Sequence, residues 1–176
     1  MKIILILITS LVFTVTGFAQ ETQTNVAVDF KIRNLGMNVD GHFDKTSITT
    51  NFTHQDITQW VLSGHVVVNT INTDNEKRDT HLNSDDYFDS TSYPEIRIKA
   101  TKFKKIAENN YDVTLNLTIK KTTKSMTSPM EIINSNNSLN LKAYFEINRL
   151  DFEVGESSFV MSNTVKINIS YTLKKE

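Results

Sequence analysis

Apolar and polar residues alternate along five separate stretches of the chain. Val26, Val28, Phe30 and Ile32 alternate with Ala27, Asp29, Lys31 and Arg33, and Tyr111, Val113, Leu115, Leu117 and Ile119 with Asp112, Thr114, Asn116, Thr118 and Lys120. Leu139, Leu141, Ala143, Phe145 and Ile147 form a third set, Val165, Ile167, Ile169, Tyr171 and Leu173 a fourth, and Ile96, Ile98 and Ala100 a shorter fifth. A period of two places the apolar side chains of a strand on one face. Strands that are wet on one face only have to close around a shared apolar interior. Less regular strands at Ser47 to Thr53, Leu62 to Thr70 and Ser125 to Ile133 bring the expected total to eight or nine. Turn-forming residues separate them, among them Asn109-Asn110 and the Asn/Ser run 134–138. Gly36 and Gly41 flank a segment expected to bend or bulge. The pattern predicts an antiparallel meander in one domain, either barrel or sandwich.

One helix interrupts the strands. Thr73 and Glu76 have capping-box spacing, Asp74 suits the positive end of a helix dipole, and the segment Asn75 to Leu82 follows. Leu82 is its only large apolar residue, so little of it can be buried. Asn83 to Pro94, carrying Asp85, Asp86, Tyr87, Phe88, Asp89 and Tyr93, reads as an irregular aromatic-bearing loop, and Pro94 sets the preceding residue extended.

Composition changes the picture at the ends and in charge. Met1 and Lys2, the apolar run from Ile3 to Val15, and small residues at Gly17 and Ala19 have the form of a secretory leader cleaved after Ala19. Residues 1–19 are therefore expected to be a signal peptide and 20–176 the mature domain, exported and periplasmic. Without Lys2, 18 basic side chains face 20 acidic ones. That balance offers no electrostatic reason for nucleic-acid binding. There is no cysteine, so neither a lipoprotein anchor nor a disulfide framework is available.

Three ordered blocks carry more specific information: 75–82 (Asn-Glu-Lys-Arg-Asp-Thr-His-Leu), Asp86-Tyr87-Phe88-Asp89, and Tyr93-Pro94-Glu95-Ile96. With Asn148-Arg149-Leu150-Asp151-Phe152, Val154-Gly155-Glu156-Ser157-Ser158, Phe30, Asn34-Leu35-Gly36 and Gly41-His42-Phe43, they resemble the YceI-like family over roughly Val26 to Leu173. The resemblance implies an exported, lipocalin-like antiparallel up-and-down β-barrel of about eight strands, built around an apolar tunnel that binds polyisoprenoid or similar long amphipathic lipids. The chain departs from the family at Lys120-Lys121-Thr122-Thr123-Lys124, where members often carry a His-Gly-Val-Thr-Lys-type turn, and at Phe159, where Trp is common. These changes are expected to alter a charged rim and shorten an aromatic wall.

A barrel of eight strands is just wide enough to fill with side chains or to hold one slender ligand. Alternation alone leaves the two open; the resemblance favours the tunnel. Its expected lining is Phe30, Ile32, Leu115, Leu117, Phe145, Ile147, Ile167 and Ile169. Arg78 and His81 could meet an acidic or quinone head group with Asn75 donating a hydrogen bond, or could simply fasten the helix to the rim. No cofactor is expected beyond a bound isoprenoid lipid such as a polyprenyl phosphate or quinone. His42, His54, His65 and His81 show no metal-ligand spacing, so no metal site is expected. Ser157-Ser158 after Gly155 forms no nucleophile elbow, and no catalytic residue is assigned. Lys120, Lys121 and Lys124 make a basic turn that could touch anionic head groups, and an edge near Asp40 could support a homodimer. The expected function is non-enzymatic lipid holding. The alternatives are a filled-barrel interaction module using the Asn83 to Pro94 loop, and an enzyme for a lipophilic substrate with His81 as general base.

Overall fold

The computed structural model describes residues 24–52 and 55–175; the expected leader and His54 lie outside them. The alternating stretches form strands β1 (Thr24–Asn34), β7 (Asn110–Ile119), β9 (Ser138–Asn148), β10 (Met161–Lys174) and β6 (Glu95–Ala107). The less regular ones form β2 (Met37–Phe43), β3 (Thr46–Asn51), β4 (Val61–Val67), a two-residue β5 (Ile71–Asn72) and β8 (Thr122–Asn134). Helix α1 (Glu76–Leu82) joins β5 to β6. Along β7 the odd residues from Tyr111 to Ile119 are all buried and the intervening ones are not, as a period of two requires.

All pairings are antiparallel, in the order β3-β4-β6-β7-β8-β9-β10-β1-β2-β5. There are ten strands rather than eight or nine because two long runs change partner midway. Residues 37–51 pair with β1 through β2 and with β4 through β3. Residues 61–72 are broken by a 3-10 turn at Val68–Thr70 into β4 and β5. The β2–β3 run pairs with the β5–β4 run from His42–Asn72 through Asp44 N to Thr70 O (3.1 Å) and Val67 N to Lys45 O (2.9 Å) to Thr46–Val66, which closes the sheet on itself. Leu35 (φ 51°) and Gly36 (φ 78°) form the tight β1–β2 turn, both left-handed as a two-residue hairpin demands. Gly41 marks no bulge: β1 and β2 pair in register through it. It is a close approach, where a Cβ would collide with the Phe30 ring and lie 2.9 Å from the Asn72 carbonyl oxygen.

The two ends of the barrel differ. At the end holding the β6–β7 and β8–β9 turns, Trp60 packs against Phe52, Phe103 and Tyr111 with ring centroids 5.0, 5.7 and 5.1 Å apart. These rings close the base, and Asn134 Nδ2 donates to the Phe52 carbonyl at 2.9 Å across it. Val113, Leu115, Ile132, Leu139 and Leu141 fill the space above. At the opposite end lie the β1–β2 turn, α1 with its loop, the β7–β8 turn and a 3-10 turn at Arg149–Phe152. There the barrel wall also splays. Pro129 has no N–H to offer, and the β8–β9 ladder covers only Met130 to Asn134 of β8. The Arg149–Phe152 turn contacts both strands, tied to the β8 side by Lys121–Glu153 (2.9 Å) and Lys124–Asp151 (4.0 Å) ion pairs.

Candidate functional site: a half-hollow barrel and its mouth

Side-chain shape divides the interior. The buried core residues that touch no hollow include six aromatic rings and four leucines but one isoleucine and one valine. The residues bordering the cavity of about 270 Å³ are mostly β-branched, nine isoleucines and five valines, with Phe30, Phe43, Tyr87 and Phe88 the aromatic exceptions. β-Branched side chains are short and stiff at χ1, so a ring of them stops before the barrel axis. Gly64, which adds no side chain at all, borders the same space.

Three segments frame the mouth. Asn75 caps α1 by accepting from Arg78 N at 3.0 Å. Thr73 is buried (4 % exposed) and does not cap the helix as its spacing suggested. Its N–H and hydroxyl both donate to Asp79, while Arg78 Nε donates to its hydroxyl at 2.7 Å and Arg78 Nη2 to its carbonyl at 2.6 Å. A buried Thr with a carboxylate in reach satisfies its hydroxyl there, and the helix takes the next capping residue along. The loop after α1 folds back on the helix through Phe88 N to Leu82 O (3.1 Å) and Ser90 N to Asn83 O (3.1 Å). Its Tyr87 ring meets His81 edge-on at 4.9 Å.

The second segment is held by Arg149, 3 % exposed. Its guanidinium donates to Ser162 O (3.1 Å), Val154 O (2.8 Å), Glu156 O (2.7 Å) and Asn163 Oδ1 (3.0 Å). Burial pushes its pKa below the ordinary arginine value, though a guanidinium keeps its proton in proteins. Gly155, at φ 64°, donates its N–H to Asp86 O at 3.1 Å and lies under Tyr87, whose Cε1 would stand 2.7 Å from any Cβ. This contact joins the Asp86-Tyr87-Phe88 and Val154-Gly155-Glu156 blocks. The third segment is the β1–β2 hairpin, linked to the second by Leu35 N to Val160 O at 2.8 Å. Leu35, Met37, Phe159 and Val160 are exposed there together. Phe159 points into solvent and shortens no aromatic wall.

Of the residues expected to line the lumen, Phe30, Ile32, Leu117, Ile147, Ile167 and Ile169 border the cavity. Leu115 and Phe145 do not; they are buried in the packed core. Arg78 and His81 border the mouth; Asn75 does not border the cavity, and its Oδ1 accepts the helix-cap bond. His81 stands 3.7 Å from Asp86, with both side chains mostly in solvent. Among the described residues no three His, Asp or Glu side chains converge. Lys120 donates to Glu153 O at 3.0 Å; with the two ion pairs, this ties the basic turn to its neighbour. Asp40 pairs with Lys31 at 2.9 Å. Sequence reasoning missed Arg149 and Tyr87 as cavity groups; only their presence in the recurrent blocks pointed to them.

The sequence model of the YceI-like domain family matches residues 19–173. A UPF0312 protein of Vibrio parahaemolyticus is 27 % identical over 114 residues, 64 % of this chain and 60 % of the relative. One of Photorhabdus laumondii is 30 % identical over 60 % of this chain and 55 % of the relative. The chain thus spans little more than half the length of these curated relatives. Among solved structures, Burkholderia cenocepacia BcnA superposes with a TM-score of 0.78 at 20 % identity, over 84 % of this chain and 95 % of that one. A Campylobacter jejuni YCEI protein gives 0.73 at 24 % identity, over 95 % and 99 %. A polyisoprenoid binding domain from Saccharophagus degradans, implicated in plant cell wall breakdown, gives 0.69 at 12 % identity, over 86 % and 94 %. These likenesses concern the fold.

Proposed function

The chain belongs to the YceI-like family, and from that premise we propose that it is a non-enzymatic binding protein holding the tail of a long amphipathic isoprenoid lipid inside the barrel. The observation that carries this reading is the half-hollow interior. A sealed apolar void costs about 24 cal/mol per Å³, so a hollow of about 270 Å³ that opens at one end forgoes packing worth at most about 6.5 kcal/mol. A barrel serving only as a scaffold gains nothing from such a hollow. A hydrocarbon tail would fill it, gaining about 0.8 kcal/mol per methylene-sized group withdrawn from water. Phe30, Ile32, Leu117, Ile147, Ile167 and Ile169 would contact the tail, and Arg78 and His81 the head. The leader-like start, Met1 to Ala19, supports an exported, periplasmic setting.

Contact with a membrane surface is part of the same reading. Its support is the exposed apolar lip of Leu35, Met37, Phe159 and Val160 beside the mouth, since the lysine turn is already engaged by Asp151 and Glu153. The direct test is organic extraction and mass spectrometry of purified protein, followed by uptake of offered isoprenoids. Recovery of a lipid in stoichiometric amount is expected. No recovered lipid and no uptake would overturn the proposal.

A further inference from the structure

The permanently charged side chains that border the cavity are of one sign. Its wall includes Arg78, Arg149, His65 and His81, and no aspartate or glutamate. Arg78 has indirect compensation, because the Thr73 hydroxyl that accepts from its Nε donates in turn to Asp79. Arg149 has none. Its four hydrogen-bond acceptors are three backbone carbonyls and an amide oxygen, all neutral, and among the described residues no carboxylate stands within 4.0 Å of it. These bonds engage four of its five donors. They hold the fork rigidly in the wall without neutralising it. A buried charge is ordinarily paired, and an unpaired one leaves a field directed into the low-dielectric space beside it.

We infer that the ligand's head group is anionic, a carboxylate or phosphate on a hydrocarbon tail, and that Arg149 and Arg78 select it over a neutral alcohol or quinone of the same tail. The inference rests on the lipid-holding reading and deepens it. A neutral head would gain from the apolar wall alone. An anionic head at the mouth would also meet two guanidiniums in a wall that carries no carboxylate, Asp86 standing outside that wall, 3.7 Å from His81. Arg149 acts from a fixed position, since its bonds to the 154–163 segment orient it before a ligand arrives, so little ordering accompanies binding.

The test uses lipid-stripped protein and three probes sharing one C20 tail: geranylgeranyl phosphate, geranylgeranoic acid and geranylgeraniol, each titrated calorimetrically at low and high salt. Both anions are expected to bind about tenfold or more tighter than the alcohol, the fold-change of one charge-assisted hydrogen bond. The order of the two anions tells phosphate from carboxylate. Arg78→Gln, at a partly buried position, is expected to shrink the anion-to-alcohol affinity ratio severalfold. Arg149→Gln should shrink it further. Should that variant fail to fold, salt sensitivity of anion binding in the native protein and the Arg78 variant carry the same decision. An alcohol that binds within threefold of both anions would overturn the charge inference and leave lipid holding intact. Failure of all three to bind would overturn lipid holding and this inference with it.

Discussion

Leu115 and Leu117 sit two residues apart on β7, on the same face, with 0 % and 3 % of their surface exposed. A half-hollow barrel nevertheless requires them to respond differently to truncation. Leu→Ala removes about three carbon groups, a transfer loss of about 2.4 kcal/mol at ~0.8 each. At Leu115, enclosed by packed side chains, the alanine leaves a new sealed hole, and the total should reach about 4 kcal/mol. At Leu117 one flank already faces the hollow, so the removed volume merges with existing space and the total should stay near 2.5 kcal/mol. The assay is urea unfolding of lipid-stripped protein, comparing midpoints at constant slope. Ligand binding should invert the order: Leu117→Ala loses one or two tail contacts and weakens affinity by about three- to tenfold, whereas Leu115→Ala leaves it within about twofold. Equal destabilisation within about 0.5 kcal/mol, or a larger loss at Leu117, would show that the division of the interior is wrong.

Three further perturbations address other parts of the argument. Gly41→Ala would press a methyl against the Phe30 ring, against Thr73 Cγ2 at 2.8 Å and against the Asn72 carbonyl at 2.9 Å; backbone cannot yield as a side-chain tip can. It should cost about 1–3 kcal/mol and weaken ligand binding as well, because Thr73 holds Arg78; a fully stable variant with native affinity would contradict this. Trp60→Ala at the closed base should cost about 3–5 kcal/mol by chemical denaturation with little change in the affinity of the surviving folded protein, the hollow being at the other end. Phe159→Glu, at a fully exposed position, should change stability by less than about 0.5 kcal/mol and leave affinity for dispersed ligand intact, yet slow ligand transfer from vesicles in a stopped-flow assay. Unchanged transfer would remove the apolar lip from the route.

The alternating runs at 26–32, 111–119, 139–147 and 165–173 determined where strands form and which residues face inward. They could do so because the period of two is a property of each strand by itself. Local chemistry misled at α1, where capping-box spacing pointed to Thr73 but burial of Thr73 against Asp79 left Asn75 to cap the helix. Whether an inward residue fills the core or borders the hollow was settled only in three dimensions. Leu115 and Leu117 are alike in sequence, and their difference in depth follows from how β7 aligns with β6 and β8. The grading was present in the chain all along: β7 runs from Tyr111 to Ile119 toward the mouth, and β10 from Ile167 to Tyr171 toward the base. It becomes legible once interstrand register gathers the isoleucines around the hollow and the Phe52, Trp60, Phe103 and Tyr111 rings at the base. Arg149 lay further out of reach, since its burial depends on carbonyls that Val154, Glu156 and Ser162 supply only after the chain has turned back on itself.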